Sequence, residues 1–265
     1  MKNIIPILVA IVLLTRCATV PVTGRKQLSL VSSSEINTMS AAQYQQVITK
    51  GPLSTNVEQT QLIQRVGARI KSGVEQYMTS KGASDQLAGF NWEFNLIQDD
   101  KTVNAWCMPG GKVAFYTAIL PICQDENGIA VVMGHEVAHA IANHGRERMS
   151  QGLLEQFGLS TLGAAMGQNP TVTNQIFMQA IGAGAQVGML KFSREHESEA
   201  DHIGLIFMAM AGYDPQLAPK FWERMTAAAA NSQKPPEFLS THPSDETRIK
   251  DLNGWMPEAM QYYKK

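Results

Sequence analysis

The sequence has few cysteines, few charged residues and no excess of either charge. Its 265 residues include 3 cysteines, too few for a disulfide scaffold, so an apolar core has to hold the fold together. Lys and Arg number 22 against 23 Asp and Glu, a formal net charge of −1, which argues against a nucleic-acid partner because phosphate binding needs a concentrated positive field. With 17% charged and 44% hydrophobic residues, the composition excludes a disordered chain. One good-sized globular domain or two small ones remain.

Hydrophobic runs long enough to span a bilayer are also missing from the two most apolar regions. Near the N-terminus, Lys2 precedes the apolar run Ile4–Leu14, which suits a secretory signal and is too short to span a membrane comfortably. Residues 152–190 are rich in Gly, Ala and Met, but polar side chains interrupt them. We expect a helical hairpin there, which would serve as a lid over a cleft, and no transmembrane role.

The segment after the first apolar run resembles a bacterial lipobox, Leu14-x-x-Cys17, in which the Cys carries lipid. Arg16 departs from that pattern, so a plain signal anchor or a cleaved secretory signal stays open as an alternative. We predict that residues 1–17 are a signal peptide with a lipobox and that Cys17 is lipidated. The chain is then exported to the periplasmic side and anchored to the membrane. That compartment also permits a disulfide between Cys107 and Cys123.

Beyond the signal, the pattern predicts an extended tether at residues 18–34 and a single domain at residues 35–265. Apolar residues recur every four positions from Leu62 to Val74, and this spacing predicts a helix over Val57–Met78. Alternation predicts a strand over Phe90–Leu96. Further strands are expected at Thr102–Cys107 and Lys112–Thr117. Further helices are expected at Ser34–Ile48, Ile129–Met149 and Ser193–Ala211. Two more helices are expected after these, one that ends at Ala230 and one that begins at Ser244. The fold class is therefore α+β, mainly helical, with a small three- or four-stranded sheet.

The strongest motif is H-E-x-x-H, formed by His135, Glu136 and His139. Residues four apart share a face of a helix, so both imidazoles can reach one metal ion. Glu136 can then contact the attacking water instead of the metal. Apolar residues flank the motif, which indicates a buried helix, and imidazoles are costly to bury without partners.

A catalytic zinc needs a third protein ligand, for which several residues are candidates. His144 would point off the ligand face of a continuous helix, as a surface residue or one behind the ligands. The remaining candidates are His196, His202, His242 and the acidic residues Glu195, Glu197, Glu199 and Asp201. We expect Glu195 and Glu199 to form a solvated charged face, and His196 and His202 to be structural or exposed.

The segment Ser193–Asp201, S-R-x-x-E-x-x-A-D, resembles the HtpX and CaaX-prenyl-protease family of zinc metallopeptidases (gluzincins), together with H-E-x-x-H. The resemblance is strongest to the family's exported, BepA/LoiP-like bacterial lipoprotein branch. It implies a zincin-like metallopeptidase domain, with the small sheet beside the H-E-x-x-H helix, that holds one Zn²⁺ per chain. It also implies that Glu197 is the third zinc ligand and Asp201 an acidic residue one turn later, and the four-residue spacing agrees.

Two more segments match the same family. Asn104 and Ala105, followed by Pro109-Gly110-Gly111, resemble its N-A-x-x-x-P-G-G edge strand, which implies that they bind an extended peptide substrate. Ser240-Thr241-His242-Pro243 resembles its S-T-H-P element. In that element the His approaches the zinc, where it either stabilises the oxyanion or closes the open position as a brake. Val22–Leu28 resembles the family's mature N-terminal segment.

The resemblance implies a zinc metalloendopeptidase that acts on unfolded or misfolded envelope proteins. Glu136 is the general base, His242 and Asp201 assist catalysis, and zinc bound by His135, His139 and Glu197 provides the electrophile. Two alternatives stay open. The chain could be a zinc-loaded but latent chaperone or assembly factor, or a zinc hydrolase of another class, such as a deacylase or amidase.

Overall fold

Helices dominate the computed structural model, which describes residues 17–158, 170–181, 193–230, 236–242 and 246–264. The predicted fold class is confirmed. The strands are β1 (Cys17–Thr19), β2 (Lys26–Leu28), β3 (Glu93–Ile97), β4 (Ala105–Met108) and β5 (Lys112–Tyr116). The α-helices are α1 (Ser33–Lys50), α2 (Val57–Ser80), α3 (Leu120–Cys123), α4 (Glu126–Ile141), α5 (His144–Phe157), α6 (Pro170–Ile181), α7 (Arg194–Met210), α8 (Ala218–Ala230), α9 (Glu237–Thr241) and α10 (Glu246–Tyr262).

The larger sheet has three strands in the order β3, β5, β4. β3 runs parallel to β5, whereas β4 is antiparallel to it. A short turn joins β4 to β5, and its two glycines, Gly110 and Gly111, have positive φ values of 82° and 81°, which favour glycine because it lacks a Cβ. Since β4 has a neighbour on one side only, it is an edge of the sheet, as predicted, and α4 packs against it.

Among the described helices, α4 and α7 make the most extensive contact. A Cβ on Gly134 of α4 would lie 2.9 Å from the carbonyl oxygen of Gly204. A Cβ on Gly204 of α7 would lie 3.0 Å from the backbone N of His135. The two backbones are therefore in contact at this crossing, which brings the H-E-x-x-H motif against the helix that carries the acidic cluster.

The predicted helix over Ile129–Met149 is wrong as one element, because it is divided into α4 and α5. Asn143 adopts the left-handed conformation, with φ 58° and ψ 31°, which asparagine tolerates better than most residues. The chain changes direction at this residue and starts a new helix at His144.

Residues 18–34 differ from the extended tether that we expected. β1 and β2 pair as an antiparallel hairpin, with Thr19 opposite Lys26. Val20 and Val31 are completely or almost completely buried, so the segment is packed against the body of the protein. A run without helical periodicity cannot distinguish a free tether from a docked hairpin, because the pattern describes only the local conformation.

The remaining expectations have mixed outcomes. α1, α2, α7 and α8 lie within a few residues of their predicted bounds. The hairpin predicted at residues 152–190 lies partly outside the described residues, and within them α5 packs against α6. Cys107 and Cys123 are both free thiols, so the disulfide that an exported compartment permits does not form between them. The lipobox lies outside the described residues apart from Cys17. In the parts of the chain that the structure covers, we find no helix with the length and apolarity needed to cross a membrane.

The helix crossing leads to a prediction about stability. Gly204→Ala forces a methyl group against the backbone of Gly134 and His135, and we expect it to destabilise the protein by about 1–3 kcal/mol, as overpacking does. The matched control is Gly254→Ala in α10, where a Cβ would have no neighbour within 4 Å, so helix propensity should make it neutral or slightly stabilising. Urea denaturation compares the two. Equal stability of Gly204→Ala and the wild type would contradict the close contact.

Candidate metal centre

The H-E-x-x-H motif lies in the middle of a buried helix. Every residue of α4 from Gly128 to Ile141 is buried, and the side chain of Asp125 caps the helix by accepting a hydrogen bond from the N–H of Gly128. The side chains of His135, Glu136 and His139 are at most 3% exposed. The sequence predicted a buried helix from the apolar flanks, and the structure agrees.

The acidic cluster meets this helix from α7. Ser193 caps α7 by accepting a hydrogen bond from the N–H of His196, and this fixes the first turn of the helix. Glu197 and Asp201, one turn apart, are both buried. The oxygen Glu197 Oε1 lies 3.4 Å from His139 Nε2, and Glu197 Oε2 lies 3.5 Å from His135 Nε2. The structure therefore brings together the three residues that were predicted to be metal ligands.

His242 joins the same group from a third element. It follows the short helix α9, and its N–H bonds to the carbonyl oxygen of Phe238 at 2.8 Å. Its Nδ1 lies 3.1 Å from His135 Nε2 and 2.9 Å from Glu197 Oε1. Its Nε2 lies 3.4 Å from Glu136 Oε1. His242 is thus placed between the predicted general base and the predicted ligands.

The donor atoms of His135, His139, Glu197 and His242 all lie within 4.8 Å of one another. Atoms at the corners of a tetrahedron with zinc bonds of about 2.0 Å are about 3.3 Å apart. The Nε2 atoms of His135 and His139 are 3.1 Å apart, close to that value. Because three imidazoles and a carboxylate are donors that zinc prefers, this set fits such an ion.

The two histidines of the motif differ in protonation. Asp201 accepts a hydrogen bond from His135 Nδ1 at 2.8 Å, which directs Nε2 of that ring toward the other donors. Burial opposes a proton on His135, but the hydrogen bond and charge of Asp201 together with Glu197 raise its pKa, so a proton on Nε2 has to leave when a metal binds there. Burial lowers the pKa of His139 well below its usual range, so this ring is neutral, the form that binds metals.

The two carboxylates of the site differ in pKa. Burial raises the pKa of Glu136 to about 7, although the charges of His242 and Arg248 oppose the shift. Burial acts in the same direction on Glu197, but the charge of His242 and hydrogen bonds with the histidines hold its pKa well below the usual range. Glu197 is therefore a permanent anion, as a ligand must be. Glu136 can exchange a proton near neutral pH, as a general base does.

Behind His135, Asp201 is held by an arginine that the sequence analysis did not identify. Arg248 of α10 donates a hydrogen bond from Nη2 to Asp201 Oδ1 at 2.7 Å, and its Nε lies 2.7 Å from Oδ2 in the same ion pair. Its guanidinium also lies 3.3 Å from the ring centroid of Trp222. A carboxylate fixed in this way orients the ligand imidazole and sets its tautomer.

Behind His139, the structure decides one expectation and corrects another. Of the two places predicted for His144, it occupies the one behind the ligands, because the helix break at Asn143 turns it inward, and it is completely buried. Its Nδ1 lies 2.8 Å from His139 Nδ1 and its Nε2 lies 2.9 Å from Glu199 Oε2. Glu199 is therefore not part of a solvated face, although Glu195 is exposed as expected. Burial lowers the pKa of His144 to about 4, so this ring is neutral.

The other two histidines of α7 are structural, as expected. His196 is buried, and its Nε2 lies 3.0 Å from Glu147 Oε2. His202 is partly buried, and its Nε2 lies 2.7 Å from Glu258 Oε2. Neither belongs to the group of donor atoms that could hold a metal among the described residues.

The predicted substrate strand lies beside Glu136. The carbonyl of Asn104 accepts a hydrogen bond from the N–H of Tyr116, so the alternation of an antiparallel pair directs the backbone groups of Ala105 and Cys107 away from β5. A backbone hydrogen bond links Cys107 to the Glu136 carboxylate. Both Asn104 and Ala105 are buried, because α9 lies against them. The N–H of Phe238 bonds to the carbonyl of Val103 at 3.0 Å.

Comparison with known proteins identifies the family. The model of peptidase family M48 matches residues 64–256. A mitochondrial metalloendopeptidase OMA1 from Schizosaccharomyces pombe is 34% identical over 248 residues, 92% of this chain. The chain belongs to peptidase family M48. This membership confirms the predicted enzyme class, a metalloendopeptidase.

Other relatives of this M48 member come from mitochondria and from bacteria. The Saccharomyces cerevisiae OMA1 is 39% identical over 67% of the chain. A beta-barrel assembly-enhancing protease from Escherichia coli is 29% identical over 94% of the chain. The chain spans 68% of the S. pombe protein, 50% of the S. cerevisiae protein and 51% of the E. coli protein.

The carboxylate behind His135 generates a prediction. Asp201→Asn keeps the shape of the side chain but removes the charge that favours the Nδ1-protonated ring, so we expect metal affinity to fall about 10- to 100-fold. Competition with a chromogenic chelator measures it. Asp85→Asn, at an exposed position, is the control and should bind as the wild type does. Unchanged affinity in Asp201→Asn would remove Asp201 from the support of the metal.

Proposed function

We propose that this chain is a zinc-dependent metalloendopeptidase of the cell envelope, which holds one Zn²⁺ through His135, His139 and Glu197. The observation that carries the proposal is the convergence of these three donors in a buried site, with Glu136 beside them. The substrate class that we propose is unfolded or misfolded envelope protein. Export and a lipid on Cys17 would hold the enzyme at the periplasmic side of a membrane, as expected from the lipobox-like segment.

The reaction needs an electrophile, a base and a way of holding the peptide. Zinc, when bound, supplies a Lewis acid that polarises the scissile carbonyl and acidifies the attacking water. Glu136 accepts a proton from this water as the new C–O bond forms, and passes it to the amine as the C–N bond breaks. Asp201 and Arg248 keep His135 in its ligand tautomer during both steps.

An extended peptide is the substrate shape that the edge strand fits. The backbone of β4 at Ala105 and Cys107 is directed away from β5, and a strand added there would run past Glu136. Main-chain hydrogen bonds are independent of sequence, which suits an enzyme that acts on unfolded chains. A deacylase or amidase would have no need of this strand, so the geometry favours peptide hydrolysis.

The general base provides the most direct test. Glu136→Gln cannot accept a proton, so we expect it to keep the metal and lose cleavage of unfolded casein by at least about 100-fold. The matched control is Glu195→Gln, an exposed position in α7, which should cleave at the wild-type rate. Zinc content measured on the same samples shows whether the site is loaded. Cleavage by Glu136→Gln at the wild-type rate would contradict the proposal.

A second candidate function is a latent, zinc-loaded chaperone or assembly factor, which the position of His242 favours. Its Nδ1 lies 3.1 Å from His135 Nε2 and 2.9 Å from Glu197 Oε1, distances typical of two ligands on one zinc ion. His242 therefore lies where catalysis needs an open coordination position. The same segment covers the substrate strand through Phe238 and through Glu237, whose Oε1 accepts a hydrogen bond from Asn104 Nδ2 at 3.3 Å. In this arrangement the α9 segment blocks the site in two ways. His242 lies at the position that catalysis needs open, and Glu237 and Phe238 cover the strand that would bind the peptide.

The role of His242 can therefore be decided by substitution. We expect His242→Ala to cleave casein faster than the wild type, because the position beside Glu136 becomes open while three ligands stay. His202→Ala, which removes a histidine bonded to Glu258 away from the site, is the control. A loss of cleavage in His242→Ala at full zinc content would instead assign His242 to oxyanion stabilisation and contradict its role as a brake.

A further inference from the structure

The hairpin formed by β1 and β2 reaches the back of the metal centre through one arginine. Arg25 Nε lies 2.7 Å from Glu199 Oε2, while Arg25 Nη1 and Nη2 lie 3.1 and 2.8 Å from the two oxygens of Glu147. The Thr23 hydroxyl donates a further hydrogen bond to Glu199. Arg25 is only 17% exposed at its side chain. One guanidinium thus joins a carboxylate on α5 to a carboxylate on α7.

From Glu199, a chain of hydrogen bonds leads to the metal ligand. Glu199 Oε2 lies 2.9 Å from His144 Nε2, and His144 Nδ1 lies 2.8 Å from His139 Nδ1. An ionised carboxylate only accepts hydrogen bonds, so His144 carries its proton on Nε2. The Nδ1 of a neutral His144 then accepts, and His139 must donate from its own Nδ1. This leaves the lone pair of His139 on Nε2, which faces the other ligands.

The opposite order of protons would disable the site. If His144 donated from Nδ1, His139 would carry its proton on Nε2 and could not bind a metal with that atom. The anionic charge of Glu199 selects the productive order, because it needs a donor on His144 Nε2. Arg25 and Thr23 hold that carboxylate in position.

The arrangement repeats the one behind His135 with one additional ring. His135 is backed by Asp201, which Arg248 holds with two nitrogens. His139 is backed by His144 and Glu199, which Arg25 holds together with Glu147. Behind each of these two imidazoles there is therefore a carboxylate fixed by an arginine, and both arginines come from segments far away in the sequence.

We propose that Arg25 is a positioning residue of the metal centre, which acts on His139 through Glu199 and His144. The docked hairpin is then a structural part of the site and not only a connection to the membrane anchor. This inference rests on the proposed metal site. It further predicts that lysine replaces arginine poorly, because a single ammonium cannot match the fork that reaches both carboxylates.

The test measures metal binding by the full chain without relying on activity. The metal-free protein is titrated with Co²⁺ and with Zn²⁺ against a competing chelator, and the visible absorption of bound Co²⁺ reports the ligand geometry. We expect Arg25→Ala to weaken binding about tenfold or more and to change the Co²⁺ spectrum, and Arg25→Lys to recover only part of the loss. The control is Arg65→Ala, which removes an arginine from an exposed ion pair with Glu126 and should bind as the wild type does.

A double-mutant cycle separates positioning from general stability. If Arg25 acts through His144, Arg25→Ala should cause little further loss of affinity in a chain that already carries His144→Phe. Losses that add in full, or unchanged affinity and spectrum in a folded Arg25→Ala, would overturn the inference. If Arg25→Ala does not fold, Glu199→Gln and Arg25→Lys decide by the same readouts. Failure of the wild type to bind either metal would refute the proposed function instead.

Discussion

The candidate site depends on the contact between two helix backbones at Gly134 and Gly204. His135 follows directly after Gly134 in α4, and Gly204 lies one turn beyond Asp201 in α7. Any side chain at either glycine would separate the helices. Separation by even a methyl group would move Glu197 away from the histidines, and ligands at about 2 Å from a metal tolerate little displacement. The packing of small residues in the core thus sets the distances at the metal centre.

The packing sets the distances in the site, and the electrostatic environment sets its protonation states. Burial alone would favour neutral forms of every group in the site, yet the site needs neutral imidazoles beside an ionised Glu197. Neighbouring groups act on both, because Asp201 and Glu199 accept hydrogen bonds from the rings while Arg248 and Arg25 compensate the buried carboxylates. Each charge has a partner of opposite sign, so the cost of burying it is offset. Glu136 faces His242 at 3.4 Å, but burial outweighs this contact and raises the pKa of Glu136 to about 7.

Local patterns predicted much of the fold and the residues of the site. Helical periodicity and alternation identified most of the helices and the three strands near the site, because these patterns reflect burial on one face. H-E-x-x-H and the acidic segment identified His135 and the four site residues near it, which are Glu136, His139, Glu197 and Asp201. The break at Asn143 was missed, since a single left-handed residue leaves the apolar pattern unchanged. The missed break also left His144 undecided between the surface and a position behind the ligands, and it concealed the role of Glu199.

Contacts between distant segments were the part that the sequence could not provide. Arg25 and Arg248 lie far from H-E-x-x-H along the chain, and no spacing rule relates them to it. The segment with Arg25 resembles the N-terminal segment of a known family, but the resemblance did not indicate which residues Arg25 contacts. His242 was expected near the metal, yet only the structure shows that α9 also covers the substrate strand. Sequence patterns describe elements, whereas these features depend on how elements dock.

The central claim is that His135, His139 and Glu197 bind one zinc ion, with His242 beside them. X-ray absorption at the zinc edge of the loaded full chain tests it most directly. We predict a first shell of four nitrogen and oxygen atoms at about 2.0–2.1 Å, with the scattering of imidazole rings and no sulfur. A sulfur shell at about 2.3 Å, or a shell of oxygens without imidazole scattering, would contradict the account.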